Sequence, residues 1–349
     1  MKEGYRLLGD FIQPVDERNR DLKVDYLLGV SISKQFIPSI ANIVGTDLSS
    51  YKIVRTGQFA YGPVTSRNGE KISIALLQDK DCIISSSYTV FEVTDNERLD
   101  PEYLMLWFSR PEFDRYTRYM SHGSVREIFD WDELCKVELP VPSIEKQRGI
   151  VKAYNTITDR IELKRKINDN LEAVLAASHS KMFFSKDTSE HSKLGELMTF
   201  GNGKSRPKTD GPIPVYGGNG VLSYTDHHNI ENAVLIGRVG AYCGSVYLEQ
   251  GICWVSDNAI FAKSKITKDE FFDYFLLKRL NLFNHHVGTG QQLLTQEILN
   301  NIEVPKPVTE QIELFNRKAA SVFETLFTNS REIIRLQELS DLLLSRLAG

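Results

Sequence analysis

Several groups in this 349-residue chain carry side chains that catalysis or metal binding would need. Gly203-Lys204-Ser205 has the last residues of a phosphate-binding loop, but the loop's first glycine would fall at Met198, so the cradle of backbone amides is broken. Glu162-Leu163-Lys164 resembles part of a nuclease Glu-x-Lys pair. No Pro-Asp precedes it, and it lies in a segment read below as helix, where it fits a solvated face. His227-His228 and His285-His286 are adjacent pairs. Neighbouring residues of a strand point to opposite faces, and no carboxylate or cysteine spacing completes a ligand set. The Asn/Asp-Pro-Pro-Tyr/Phe tetrapeptide of adenine methyltransferases is absent.

Other polar groups carry the forked donors and acceptors that recognition of a base edge would need. Arg and Lys suit the O6 and N7 edge of guanine, and Asn and Gln the N6 and N7 edge of adenine. In the C-terminal half such groups sit in glycine-rich turns. The basic run Gly203–Lys208 supplies Lys204, Ser205, Arg206 and Lys208; Arg238 and Tyr242 share a second turn; Thr289, Gln291 and Gln292 lie in or just after a Gly-Thr-Gly loop. In the N-terminal half the candidates are Gln58 and Tyr61, then Ser66, Arg67, Asn68 and Lys71 around Gly69, then His122, Ser124 and Arg126. The plainer reading is that polar glycine-rich turns are only turns.

The elements that position these groups are written twice. Gly123-Ser124-Val125-Arg126 matches Gly288-Thr289-Gly290-Gln291 at an offset of 165 residues. Without a gap the same offset sets Ile128 on Leu293, Leu134 on Leu299, Glu138 on Glu303, Pro140 on Pro305 and Pro142 on Pro307. Upstream, with gaps, Leu8-Gly9-Asp10 resembles Leu194-Gly195-Glu196. Gly57 to Tyr61 resembles Gly237 to Tyr242, and Tyr88 to Phe91 resembles Asn258 to Phe261. Within each copy, Ile72 to Leu77 and Ala233 to Ile236 read as strands, and Glu102 to Phe108 and Glu270 to Leu277 as helices.

After each Pro-x-Pro an apolar heptad begins. Its slots are Ile150, Tyr154, Ile157, Ile161, Lys164, Asn168, Leu171, Leu175, Ser178 and Met182. In the second copy they are Phe315, Ala319, Val322, Leu326, Asn329, Ile333, Leu336, Ser340, Leu343 and Leu347. Neither span contains Pro or Gly, so each reads as one uninterrupted helix, and the repeat argues for a coiled coil. Antiparallel pairing sets Asn168 opposite Asn329, where two amides can hydrogen-bond and fix register. Parallel pairing sets Lys164 beside Asn329 and leaves Asn168 against Ile333. Antiparallel is the expectation. It would carry the two globular units at opposite ends of a rod roughly 50 Å long, at ~1.5 Å per residue.

The order unit, helix, unit, helix resembles the specificity subunits of type I restriction-modification enzymes over essentially the whole chain. The matching pieces are Leu194-Gly195-Glu196, Ile213 to Gly220, Gly237-Arg238-Val239-Gly240, Gly288-Thr289-Gly290-Gln291, and the Leu139-Pro140-Val141-Pro142 and Val304-Pro305-Lys306-Pro307 leads into the helices. The resemblance implies an α+β chain of two target recognition domains, 1–142 and 187–307, each reading half of a split double-stranded DNA site. Helices over 143–186 and 308–349 would form the antiparallel coiled coil of a pseudo-two-fold repeat. It also implies two methyltransferase subunits that use S-adenosylmethionine, and restriction subunits that use ATP and magnesium. No cofactor and no metal would then belong to this chain. Members often carry Pro-Pro and then Glu-Gln where the helix begins; here the copies read Glu145-Lys146-Gln147 and Glu310-Gln311, a local departure at a structural cap.

Composition bounds this reading. The chain is 41% hydrophobic and 25% charged, ordinary for a globular protein. A formal charge of −4 counts against a DNA binder working alone, because phosphate contacts need surplus Lys and Arg. Either basic residues gather on one face or partners supply the backbone contacts. No apolar run approaches the ~18 residues of a membrane span, and the first residues lead into no signal-peptide segment. Cys82, Cys135, Cys243 and Cys253 are scattered, so neither disulfides nor a zinc site are expected and a reducing cytosol fits. Two other readings stay open: a methyltransferase or restriction enzyme with built-in recognition domains, and a non-enzymatic coiled-coil scaffold.

Overall fold

The computed structural model describes residues 4–39, 45–66, 68–69, 71–122, 127–185, 190–288 and 291–347. The chain is α+β and divides into two compact units, Met1–Leu163 with Ile333–Gly349, and Lys164–Glu332.

Short β-branched and aromatic runs cut by Gly, Asp and Ser give the first unit several small sheets. Its strands are β1 (Tyr5–Leu7), β2 (Ile12–Val15), β3 (Leu28–Val30), β4 (Phe36–Pro38), β5 (Lys52–Val54), β6 (Phe59–Tyr61), β7 (Ile74–Leu76), β8 (Cys82–Ile84) and β9 (Thr89–Val93). The order β2-β9-β6-β7 makes an antiparallel sheet, while β3 pairs with β4 and β5 with β8. Helix α1 (Pro101–Phe108) begins where Asp100 accepts the amides of Glu102 and Tyr103 and Pro101 fills the first turn. It is followed by α2 (Pro111–Tyr119), α3 (Trp131–Cys135) and β10 (Glu138–Pro140), which returns antiparallel to β1 and leads into α4 (Ile144–Phe183). Leu104, Phe108, Phe59 and Phe91 share one core, the last two rings stacked at 4.8 Å.

The second unit keeps this frame and enlarges the sheet. It runs β11 (His191–Lys193), a single helical turn α5 (Leu194–Leu197), β12 (Met198–Asn202), β13 (Ile213–Gly217), β14 (Gly220–Thr225), β15 (Ile230–Gly237), β16 (Val246–Val255), β17 (Ala259–Ser264), α6 (Phe271–Arg279), α7 (Gln296–Asn301), β18 (Glu303–Pro305) and the part of α8 (Thr309–Arg346) up to Glu332. The six-stranded order is β12-β17-β15-β16-β13-β14, and only the β13–β16 pairing is parallel.

The repeat is physical. Tyr5 pairs with Pro140 and His191 with Pro305. Asp130 caps α3 and Thr295 caps α7, again 165 residues apart. A Cβ on Gly9 would stand 2.9 Å from the Cys135 Cβ, and one on Gly195 2.6 Å from Asn300 Oδ1. Positions 135 and 300 are equivalent, so the shared Leu-Gly-acid motif is a close-packing requirement.

Two upstream matches need correction. The Phe129 amide donates to Pro63 O, and the Leu294 amide to Arg238 O, each at 2.9 Å. Gly62-Pro63-Val64-Thr65 is therefore the counterpart of Gly237 to Gly240, and Gly57 to Tyr61 is not. Ladder register likewise sets Thr89 with Ile260 rather than Ala259, because Ile12 pairs with Val93 as Met198 pairs with Ser264. A one-residue slip exchanges the faces of a strand, and apolar runs buried on both faces hide it. The run Ile72 to Leu77 is strand only over Ile74–Leu76.

Both long helices are continuous and begin six residues ahead of their first heptad slots. None of the twenty slots is exposed. Within the second unit the helices run antiparallel. Phe183 lies 6.0 Å from Phe315 between ring centres, and Lys164 pairs with Glu332 at 2.7 Å. Asn329 Nδ2 donates to Asn168 Oδ1 at 2.8 Å, as antiparallel pairing requires. Lys164 also donates to Asn329 Oδ1 at 2.9 Å, reaching from one turn away with its long side chain. His179, outside the heptad, is buried in the same unit among the rings of Phe183, Phe184, Phe272, Phe275 and Phe315. In the first unit Val151 of α4 shares the core with Leu344 and Leu347. Gln147, fully buried, holds the head of α4: it accepts the Asp100 amide and donates to Arg98 O and Pro142 O.

Candidate nucleic-acid interface

In the second unit the basic loop leaves β12 at Gly203. A Cβ there would fall 1.9 Å from Ser256 O, so only glycine passes. The Lys204 amide donates to Val255 O at 2.9 Å, and Trp254 Nε1 donates to Lys204 O at 3.4 Å. At the other end the Thr209 and Thr225 hydroxyls bond at 2.9 Å. The loop is thus pinned at both ends, and Lys204, Ser205, Arg206 and Lys208 are all exposed. Among the described residues none of its three cations makes an ion pair.

A second turn follows β15. A Cβ on Gly237 would lie 2.1 Å from Tyr242 O, which forces the chain to double back at once. The Arg238 amide donates to Asn258 O at 3.0 Å, and Arg238 O accepts from Leu294. Its side chain is half-buried, Nε has no hydrogen-bond partner, and no carboxylate is paired with the guanidinium among the described residues. Tyr242 is half exposed. The Gly240 amide donates to Gln292 O at 3.1 Å, and a Cβ on Gly218 would stand 3.7 Å from the Tyr242 Cβ. Three turns, 217–220, 237–244 and 287–293, therefore meet, bringing Arg238, Tyr242, exposed Gln291 and half-buried Gln292 together. The last turn is closed by reciprocal bonds between Val287 and Leu293, at 2.9 and 3.0 Å.

The first unit builds the same closure. His122 and Ile128 exchange amide bonds at 3.1 and 2.9 Å, and the Thr65 amide donates to Glu127 O at 3.0 Å. Thr65 Oγ1 donates to Ser121 Oγ at 2.9 Å, and Asn68 Nδ2 to Val64 O at 3.3 Å. These bonds gather Ser66, Asn68, Lys71 and His122; all but Asn68 are exposed. Arg67, Ser124, Arg126 and Thr289 lie outside the described residues.

Gln58 and Tyr61 are corrected. Tyr61 lies on β6, an interior strand of its sheet, and Gln58 directly precedes that strand. Tyr61 is 0% exposed inside the core, and buried Gln58 accepts the Arg55 amide and donates to Glu92. Neither presents surface to a nucleic acid. Sequence reasoning missed the loop anchors Trp254 and Asn258. They act through one polar atom each, which no local pattern marks.

Among the described residues no three His, Cys, Asp or Glu side chains gather as for a metal, and His227 Nδ1 is instead 2.5 Å from Asp226 Oδ1. No helix among them is long and apolar enough to cross a membrane.

Residues 39–173 and 186–342 each match the family described as type I restriction modification DNA specificity domain. Over 296 residues the chain is 21% identical to the type I restriction enzyme MjaIX specificity subunit of Methanocaldococcus jannaschii, covering 70% of this chain and 68% of that one. It is 25% identical over 154 residues to the HindI specificity subunit of Haemophilus influenzae, spanning 42% of this chain but only 32% of that relative. In fold it is similar to the crystal structure of a type I restriction-modification S subunit from M. genitalium. The TM-score is 0.64 at 17% identity, over 99% of this chain and 96% of that one.

Proposed function

Because the chain belongs to the family of type I restriction modification DNA specificity proteins, we propose that each of its two units reads one half of a bipartite double-stranded DNA site. The chain serves as the specificity subunit and does no catalysis. Adenine methylation with S-adenosylmethionine belongs to two methyltransferase subunits, and cleavage with ATP and magnesium to restriction subunits.

One observation carries this reading: the same closing bonds recur in both units, between His122 and Ile128 and between Val287 and Leu293, while the sequences they enclose differ. Arg126 stands in one copy where Gln291 stands in the other. A repeated scaffold with changed contact residues is what two independent half-sites require. Phosphate contacts position a protein and base contacts specify. The unpaired Lys204, Arg206, Lys208 and Arg238 are suited to both. With a formal charge of −4, the chain leaves most phosphate contacts to its partners and binds DNA weakly alone.

Methylation mapping of DNA from cells with and without the chain tests the reading. One split motif should vanish with the chain, and exchange of residues 1–139 for a unit of known target should change only one half. An unaltered methylome, a change in both halves, or methyl transfer by the purified chain alone overturns it.

A further inference from the structure

One carboxylate in the first unit is spent on geometry rather than on contact. Lys34 occupies the turn between β3 and β4 with φ +63, a conformation that side-chain-bearing residues rarely take. Its side chain is 9% exposed, and Nζ donates to Asp114 Oδ1 at 2.7 Å beside the Phe113 ring. The same Oδ1 accepts the Ile72 backbone amide at 3.2 Å. Asp114 belongs to α2. Two residues past the end of that helix, Ser121 accepts the Thr65 hydroxyl. The residues on either side of Ser66, Asn68 and Lys71 are therefore held by α2 and the segment that follows it, Ile72 through Asp114 and Thr65 through Ser121, whose hydroxyl is itself bonded to Thr117 O of the helix.

A buried ion pair is weak evidence for stability, since apolar residues of like volume often do as well. We infer that Asp114, neutralised by Lys34, is a positioning residue: it sets the place of the 65–72 turn from behind and so governs how the first unit reads its half-site. This rests on the DNA-reading function proposed above. It predicts that removing the clamp blurs one half of the motif and spares the other.

The test compares wild type with Lys34→Met/Asp114→Leu, which removes both buried charges together, and with Asp114→Ala. Each full-length chain is assembled with its methyltransferase partner and assayed on cognate duplexes and on duplexes with one altered base in either half. The readout is the ratio of methylation on cognate and altered sites, which does not depend on the fraction of molecules folded. Discrimination in the first half should fall about tenfold in both variants, the worth of one well-read base pair, with the second half unchanged. Discrimination unchanged in both variants, or lost equally in both halves, overturns the inference. A wild-type chain that directs no methylation overturns the functional reading instead.

Discussion

Asp273 on α6 is 1% exposed, and neither of its carboxyl oxygens has a hydrogen-bond partner. Burial pushes its pKa from 3.8 to about 8; the Ser264 hydroxyl pulls the other way without closing a hydrogen bond of normal geometry, and the Glu270 carboxylate adds to the rise. In the unfolded chain the group ionises near 3.8, so between that pH and about 8 folding takes up a proton. The unfolded state binds fewer protons throughout the window, and stability falls as pH rises, by ~1.4 kcal/mol per pH unit. The contribution is complete below the unfolded pKa and gone above about 8. From acid to neutral pH this amounts to roughly 4 kcal/mol, an upper bound because relaxation and water penetration reduce real desolvation costs. Asp273→Asn removes the titration. An amide and a protonated carboxyl are near-isosteric and equally unpartnered there, so in acid the two chains should match to within about 1 kcal/mol. From mildly acid pH upward the variant should be the more stable. Urea unfolding followed by circular dichroism, at unit steps from about pH 5 to 8, measures the difference. Two parallel stability curves across that window would show that the carboxyl is not held protonated, and the reasoning would fail.

His179 should act in the opposite sense. Burial, with Arg279 adding to it, holds its pKa at about 3 against 6.5 in the unfolded chain, so its contribution is present above 6.5 and lost as pH falls toward 3. His179→Phe should flatten that acid limb in the same assay, and an unchanged limb would refute the assignment. Asn329→Ala should lower unfolding free energy by ~1–3 kcal/mol, because it removes a buried amide and strips half-buried Asn168 and Lys164 of a shared partner; a urea midpoint like that of wild type would contradict this. Replacing Lys204, Arg206 and Lys208 together with Ala should reduce the slope of log affinity against log salt by about 2–3 in the complex with the methyltransferase. The first half of the motif should remain intact, and an unchanged slope and motif would remove the loop from the interface. Gly237→Ala forces a Cβ to within 2.1 Å of Tyr242 O and should weaken recognition of the second half-site, read by methylation mapping.

Much of the architecture was legible because it is periodic. The heptad slots, the two interrupting Pro-x-Pro segments and the gapless offset of 165 residues located both long helices and the doubled frame. Less was legible where equivalence depends on pairing across space. Gly57 and Gly62 offer the same local pattern of glycine beside an apolar strand, and only the bonds of Phe129 to Pro63 and of Leu294 to Arg238 identify the true counterpart of Gly237. That choice sent Tyr61 and Gln58 to the core.

Sequence by itself determined the repeat, the helix pair with its Asn168–Asn329 register, and the want of a catalytic motif, because hydrophobic period, proline and glycine act through local sterics. Tertiary structure alone decided which polar residues are spent inside the protein. Asp114, Gln147, Asn316, Asp273 and His179 are all buried, and the first three each tie distant segments through two or three side-chain hydrogen bonds. A polar side chain shows the same type in sequence whether it meets solvent, a backbone amide or another chain. Its role is set by the partner that folding brings to it.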